Sequence, residues 1–216
     1  MCNLYRMDEK DIRLFKDWDA LALPPILAPF DQQMYPKGNG LVLRIEGHAP
    51  VWDVMPWGVP ITLPGKRPGT SVKKHVTNVR NLESPFWKAT LQDPTRRCLV
   101  PFTQFAEPAP GKDAATGRPA QYWFNVPAQP VAAFAGLWRP SASGNVFAFL
   151  TCDANEVVRP IHAKAMPVLL TTPEACDAWL AGSVEEAVAM QIPLPSEALQ
   201  IVATGPRKDE GGMIAT

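Results

Sequence analysis

Along most of the chain, apolar residues come in short blocks cut by proline and glycine, and helical spacing is confined to four stretches. Over Asp8–Trp18, Ile12 and Phe15 stand three apart and Leu14 and Trp18 four apart, with Asp8 placed to cap a first helix. Ser84 followed by Pro85 predicts a second through FWKATLQ, because Ser caps well and Pro fits the first turn. Thr172-Pro173 opens a third, ending near Ala181, and Val184–Gln191 predicts a fourth. Strand-like blocks are more numerous: Leu41–Ile45, Val51–Trp57, Cys98–Phe102, Gln121–Val126, Val131–Trp138, Val146–Thr151, Pro167–Leu170 and Leu199–Ala203. Between them, residues 21–30 (LALPPILAPF) read as a Pro-rich connector, Pro60–Thr77 as the longest loop, and Pro108–Pro119 as a turn between strands. No βαβ rhythm and no internal repeat is present. The expected fold is therefore α+β, a single compact domain on a largely antiparallel sheet or barrel with several short helices, spanning 1–204 and followed by a polar tail at 205–216.

Composition sharpens this picture. The 24 prolines limit helix length, since proline lacks a donor and clashes inside a helix, while 46% hydrophobic residues over 216 positions suffice for one core. No apolar run approaches the roughly 20 residues of a membrane span, and MCNLYRMDEKD has no apolar signal region, so a cytoplasmic protein is expected. Cys2, Cys98, Cys152 and Cys176 are scattered without a CxxC, which predicts free thiols, no metal and no cofactor. The last three sit in apolar contexts and read as core residues. A monomer is the expected state. Lys plus Arg and Asp plus Glu both number 21, so any binding of nucleic acid must use a local patch.

Such a patch exists. Gly65–Arg80 carries Lys66, Arg67, Lys73, Lys74 and Arg80 and no acid, which suits either a phosphate backbone or a solvated loop. Trp57, just before it, fits either a stacking face for an unpaired base or a core position. Cys2 follows Met1 and is small enough for Met1 to be removed. That would leave an amine and a thiol on adjacent carbons, with ordinary pKa values of about 7.7–8.0 and 8.5. Such a pair can convert an aldehyde to an imine and then close a thiazolidine ring. Glu107 ends a strand-like run between Ala106 and Pro108, a place where a carboxyl is either partly desolvated for proton transfer or simply on the surface. His162, in RPIHAKAMPVLL, is one of three histidines and fits either a structural or a proton-transfer role.

The ordered set of Met1-Cys2, TNVRN followed by SPFW, RCLVPFTQFAEP, FAGLW and RPIHAKAMPVLLTTP resembles the SRAP family (SOS response-associated peptidase), which includes abasic-site processing proteins. The likeness runs from Cys2 to about Ala203. It implies a β-rich α+β fold that binds single-stranded DNA and cross-links to abasic sites through a thiazolidine on the N-terminal cysteine. By the same resemblance Asn78 would hold the opened sugar, Glu107 would assist imine formation and ring closure, and His162 would aid proton transfer. Trp57 and Arg80 match DNA-contacting positions, with Lys73, Lys74 and Lys164 as further phosphate partners. The peptidase in the name is most readily understood as self-removal of Met1.

The chain departs from the family pattern in places. Asn3 and Leu4 stand where Gly and Arg are usual, and Ala106 and Pro108 replace an aromatic pair around the Glu. The usual His-x-Arg-Met-Pro is lengthened to His162–Pro167, with Lys164 partly replacing the arginine, and Glu83 is displaced by one residue. Two other functions share parts of this machinery. An N-terminal-nucleophile hydrolase, an amidase or peptidase, would use the same Cys2 but release its product. A non-catalytic binder of single-stranded nucleic acid would tolerate loss of Cys2.

Overall fold

The computed structural model describes residues 2–15 and 29–207. Its strands are β1 (Leu4–Arg6), β2 (Gln33–Met34), β3 (Asn39–Glu46), β4 (Ala49–Pro56), β5 (Val59–Pro64), β6 (Ser71–Val76), β7 (Asn78–Val79) and β8 (Arg97–Phe102). They continue as β9 (Gln104–Lys112), β10 (Pro119–Asn125), β11 (Ala132–Ser141), β12 (Gly144–Cys152), β13 (Met166–Pro167), β14 (Leu169–Leu170) and β15 (Gln200–Pro206). The α-helices are α1 (Pro85–Gln92), α2 (Pro173–Ala181) and α3 (Val184–Ala189). Strand content of 47% against 17% helix, in mostly antiparallel sheets, gives the expected α+β class in a single compact domain, but the sheets do not close into a barrel.

One sheet has the strand order β15-β10-β9-β1-β2, and a second has β13-β12-β11-β8-β3-β4 as its main path. On the second, β14 joins β11 and β7 runs parallel to β12. Between the two sheets lies a band of aromatic rings. Tyr5, Phe105 and Phe124 come from the first, and Phe102, Phe134 and Phe149 from the second. Phe102 stacks on Phe134 at 4.1 Å and Phe134 on Phe149 at 4.4 Å. The central strands β8 and β11 are buried almost throughout, because α2 covers them on the side away from the first sheet. That explains their unbroken apolar runs. Arg97 is fully buried among them and donates to the carbonyls of Leu91, Trp179 and Gly182, at the C-terminal ends of α1 and α2 where a cation is favoured.

The helix signals read true where side chains cap the ends. Ser84 accepts from the Phe86 amide, Thr172 from the Ala175 amide, and Ser183 forms a reciprocal capping box with Glu186. The first predicted helix differs. Glu9–Leu14 is a 3-10 helix, Asp8 makes no side-chain cap bond, and residues 16–18 of that prediction lie outside the described residues. So does most of the Pro-rich connector, residues 21–28.

Pro60–Thr77 is not a loop. It holds the hairpin β5–β6, in register from Val59 opposite Val76 to Pro64 opposite Ser71. Val59, Ile61 and Leu63 alternate with Pro60, Thr62 and Pro64, and this two-stranded sheet leaves room for prolines that a central strand would reject. Gly58 turns the chain into the hairpin at φ +127, and a Cβ there would lie 2.9 Å from the Cβ of His75. Pro108–Pro119 likewise contains strand, as β9 runs on to Lys112 and the turn is confined to 113–118. The last strand extends to Pro206, two residues beyond the predicted domain end. Cys98, Cys152 and Cys176 are buried free thiols, the latter two pushed up to about 12 by burial. No helix among the described residues is long and apolar enough to cross a membrane.

Candidate active site

Strand β1 lays Leu4, Tyr5 and Arg6 opposite Ala106, Phe105 and Gln104 of β9, and this antiparallel pairing brings Cys2 to the Glu107 end of β9. Alternation along β9 puts Phe105 and Glu107 on the core side and Ala106 on the other. Cys2 and Glu107 are both fully buried. Burial raises the Cys2 thiol well above its ordinary value, and the Glu107 charge adds to the rise. The thiol is therefore a neutral S–H at rest; its Sγ lies 3.5 Å from the Leu4 carbonyl. Burial also lifts Glu107 to about 8, so at neutral pH its carboxyl is mostly protonated.

His162 reaches Glu107 from the turn before β13. Its Nδ1 lies 2.8 Å from the Ala165 carbonyl and 3.2 Å from Glu107 Oε2. A carbonyl only accepts, so Nδ1 carries the proton and Nε2 the lone pair. Burial lowers the His162 pKa, which keeps the ring neutral near pH 7. Asn78, on β7, approaches from the other sheet. Its Nδ2 donates to the Cys2 carbonyl at 3.0 Å and to Thr77 Oγ1 at 2.8 Å. Its Oδ1 is buried and has no hydrogen-bond partner among the described residues. Cys2, Asn78, Glu107 and His162, from four distant parts of the chain, thus converge.

The family model described as SOS response associated peptidase (SRAP) matches residues 1–206. The chain belongs to the SRAP family. Its fold is that of solved structures at low identity. A protein of Bordetella bronchiseptica matches with a TM-score of 0.69 at 21% identity, over 96% of this chain and 100% of its own. One from Bacteroides thetaiotaomicron gives 0.68 at 19%, over 94% and 92%. A phage-related protein of Bordetella bronchiseptica gives 0.62 at 20%, over 97% and 94%. No curated protein matches the chain.

Against the SRAP pattern, the predicted DNA-contacting residues divide. Arg80 is exposed and ion-pairs with Asp153, a surface pair worth about 0–1 kcal/mol that a phosphate could replace. Lys73 and Lys74 are exposed on adjacent positions of β6, so they point to opposite faces of the hairpin, and Lys164 is exposed beside His162. Trp57 does not offer a stacking face. It is fully buried, stacked on Phe149 at 5.0 Å, and its Nε1 donates to the Thr77 carbonyl at 3.0 Å. The block MPWGVP hid this, since its apolar neighbours fit a core or a platform equally. Trp57 supports the residue next to Asn78 from below. Trp57→Ala is expected to cost about 3–5 kcal/mol of unfolding free energy, read from urea denaturation, with Trp57→Phe much milder.

The departures beside Cys2 also have places. Leu4, where the family usually carries Arg, packs with Ala106 and Trp123 in a small apolar cluster outside the main core. Ala106 is small where an aromatic is usual, and Leu4 and Trp123 pack against it. Arg6, which the sequence did not single out, faces the same side and lies over the Trp123 ring at 3.9 Å. Its signal was its spacing, two residues from Leu4 on one strand face.

Proposed function

We propose that this protein traps abasic sites in single-stranded DNA as a covalent adduct on Cys2 once Met1 has been removed. The observation that carries the reading is the convergence of a fully buried Glu107 with His162, Asn78 and the start of β1. In its ring-opened form an abasic deoxyribose presents an aldehyde. The freed Cys2 amine adds to it, and the carbinolamine loses its oxygen as water with the proton supplied by Glu107. The resulting imine carbon accepts the Cys2 sulfur. The thiol proton returns to the Glu107 carboxylate, the imine nitrogen ends as N–H, and one water is the sole by-product.

Burial suits each step. A neutral thiol does not compete for the aldehyde before the amine, and a carboxyl held near pH 8 can give and retake a proton near neutrality. His162 sits beside Glu107, its Nδ1 3.2 Å from Oε2. The unpartnered Oδ1 of Asn78 can accept a sugar hydroxyl while Nδ2 fixes the Cys2 carbonyl. Ring closure protects the linkage from the hydrolysis that a bare imine suffers.

Lys73, Lys74, Arg80 and Lys164 supply the phosphate contacts in this reading. Trapping is therefore expected to weaken with salt. For Lys73→Ala combined with Lys74→Ala, the slope of log affinity against log salt should fall by about 0.7 for each lost phosphate contact. Fluorescence anisotropy with a non-reactive strand measures this. The whole reading is tested by mixing the protein with an oligonucleotide carrying one abasic site and running a denaturing gel. A retarded band that persists through denaturation supports it; turnover with released product, or no band from folded protein lacking Met1, contradicts it.

A further inference from the structure

On the outward face of the five-stranded sheet lies a polar cleft of about 430 Å³, a size typical of small-ligand sites. Its floor is one cross-strand row. Gln33 stands opposite Arg6, Arg6 opposite Gln104, and Asn125 opposite Gln104, one step beyond the pair Phe124–Phe105. Asp8 and Asp11 form part of its wall. Arg6 is immobilised over Trp123, with Nη1 3.5 Å from Gln104 Oε1, a weak contact that leaves most of its donors unspent. Asn125 lines the cleft, and its Oδ1 is buried with no hydrogen-bond partner among the described residues. A buried acceptor in that state costs free energy unless a donor fills it.

We propose that this cleft is a base-reading subsite for a guanine of the bound single strand, separate from the Cys2 site. The lining has one cation and two carboxylates, which disfavours a phosphate and favours a neutral ligand bearing both donors and acceptors. Guanine has O6 and N7 as acceptors for an arginine fork, and N1–H and N2–H₂ as donors for carboxylate and amide oxygens. Arg6 supplies the first, and Asn125 Oδ1 with Asp8 or Asp11 the second. Cys2 and Arg6 are four residues apart on one extended segment, on the order of 13 Å. The guanine would therefore lie at a fixed offset of a few nucleotides from the lesion. The inference rests on the proposed binding of single-stranded DNA but not on the cross-link.

The test uses the full-length protein and thymine-rich strands carrying a tetrahydrofuran abasic analogue, which has no aldehyde to react. One guanine is moved through each position, and affinity is read by anisotropy. One offset should bind about 10-fold tighter than the all-thymine strand, as a good bidentate base contact implies. That gain should vanish in Asn125→Leu and in Gln104→Ala with Arg6→Ala, and survive in Asn125→Asp, which keeps the acceptor. Circular dichroism checks that each variant is folded. Equal affinity for guanine at every offset, with thymine strands still bound, overturns this inference alone. No binding of any strand overturns it together with the DNA reading. Loss of the gain in Asn125→Asp as well shows that the acceptor is not what reads the base and also overturns it.

Discussion

Cys2→Ala is expected to abolish the covalent adduct, by ~10³-fold or more, because it removes the sulfur that closes the ring. Reversible affinity for the non-reactive strand should stay within about two-fold, since no phosphate contact is assigned to Cys2. The fold should survive: the side chain lost is small, and the cost of one buried sulfur is on the order of 1 kcal/mol. Cys2→Ser is the more informative partner. It keeps the N-terminal amine, so an imine can still form, but a hydroxyl closes the ring poorly. The serine variant should therefore give little adduct by itself and a clear band when borohydride is added during the reaction. A serine variant that traps as well as the wild type would show that the thiol is not a reacting group. Measurement is by denaturing gel, with and without borohydride.

Glu107→Gln is expected to slow adduct formation by about 10²–10⁴-fold, the range for loss of a positioned proton donor. Wild-type trapping should decline as pH rises above about 8, where Glu107 loses its proton, and the variant should lack that decline. Stability should respond to the same proton. The carboxyl titrates near 8 in the folded chain and near its ordinary 4.5 when unfolded, so the folded state holds its proton more tightly. The contribution of this group is fully present below pH 4.5 and is lost as pH rises toward 8. At 1.4 kcal/mol for each pKa unit this loss reaches a few kcal/mol at most. The glutamine variant should thus melt close to the wild type near pH 4.5 and above it near pH 8.5. A slower variant with no pH-dependent gain in Tm would mean that Glu107 is not buried as a neutral acid. A gain in Tm without slower trapping would remove it from the chemistry.

The legible parts of the fold were those in which a local rule acts alone. Ser84-Pro85 and Thr172-Pro173 fix helix starts through side-chain caps, and Cys98–Phe102 and Val131–Trp138 announce strands buried on both faces. The hairpin β5–β6 was masked by its own composition. Its alternating Val59, Ile61 and Leu63 are interleaved with prolines, and its second strand is dominated by Lys73, Lys74 and His75. Loop-like residues are tolerated there because a two-stranded sheet leaves edges free. Trp57 failed as a DNA platform for a tertiary reason, since only the packed Phe149 and the Thr77 carbonyl show which way the ring points.

The site was legible mainly through resemblance. Spacing alone could not say that Asn78 reaches the Cys2 carbonyl, or that His162 meets Glu107 across 55 positions of chain. Those contacts depend on the pairing of β1 with β9 and on β7 lying along β12. Arg6 and Asn125 went unnoticed because their meaning arises only from cross-strand register, in which four polar residues from four strands form one row.

The central claim concerns an aminothiol whose two nucleophiles end on one carbon. Intact mass of the adduct tests it most directly. Protein lacking Met1 is joined to an oligonucleotide with one abasic site and treated with borohydride after the reaction is complete. The expected mass is the sum of the two partners less one water, unchanged by borohydride, with the linkage mapped to Cys2. A gain of two hydrogens would reveal a bare imine, and an adduct on any other residue, or on protein retaining Met1, would contradict the account.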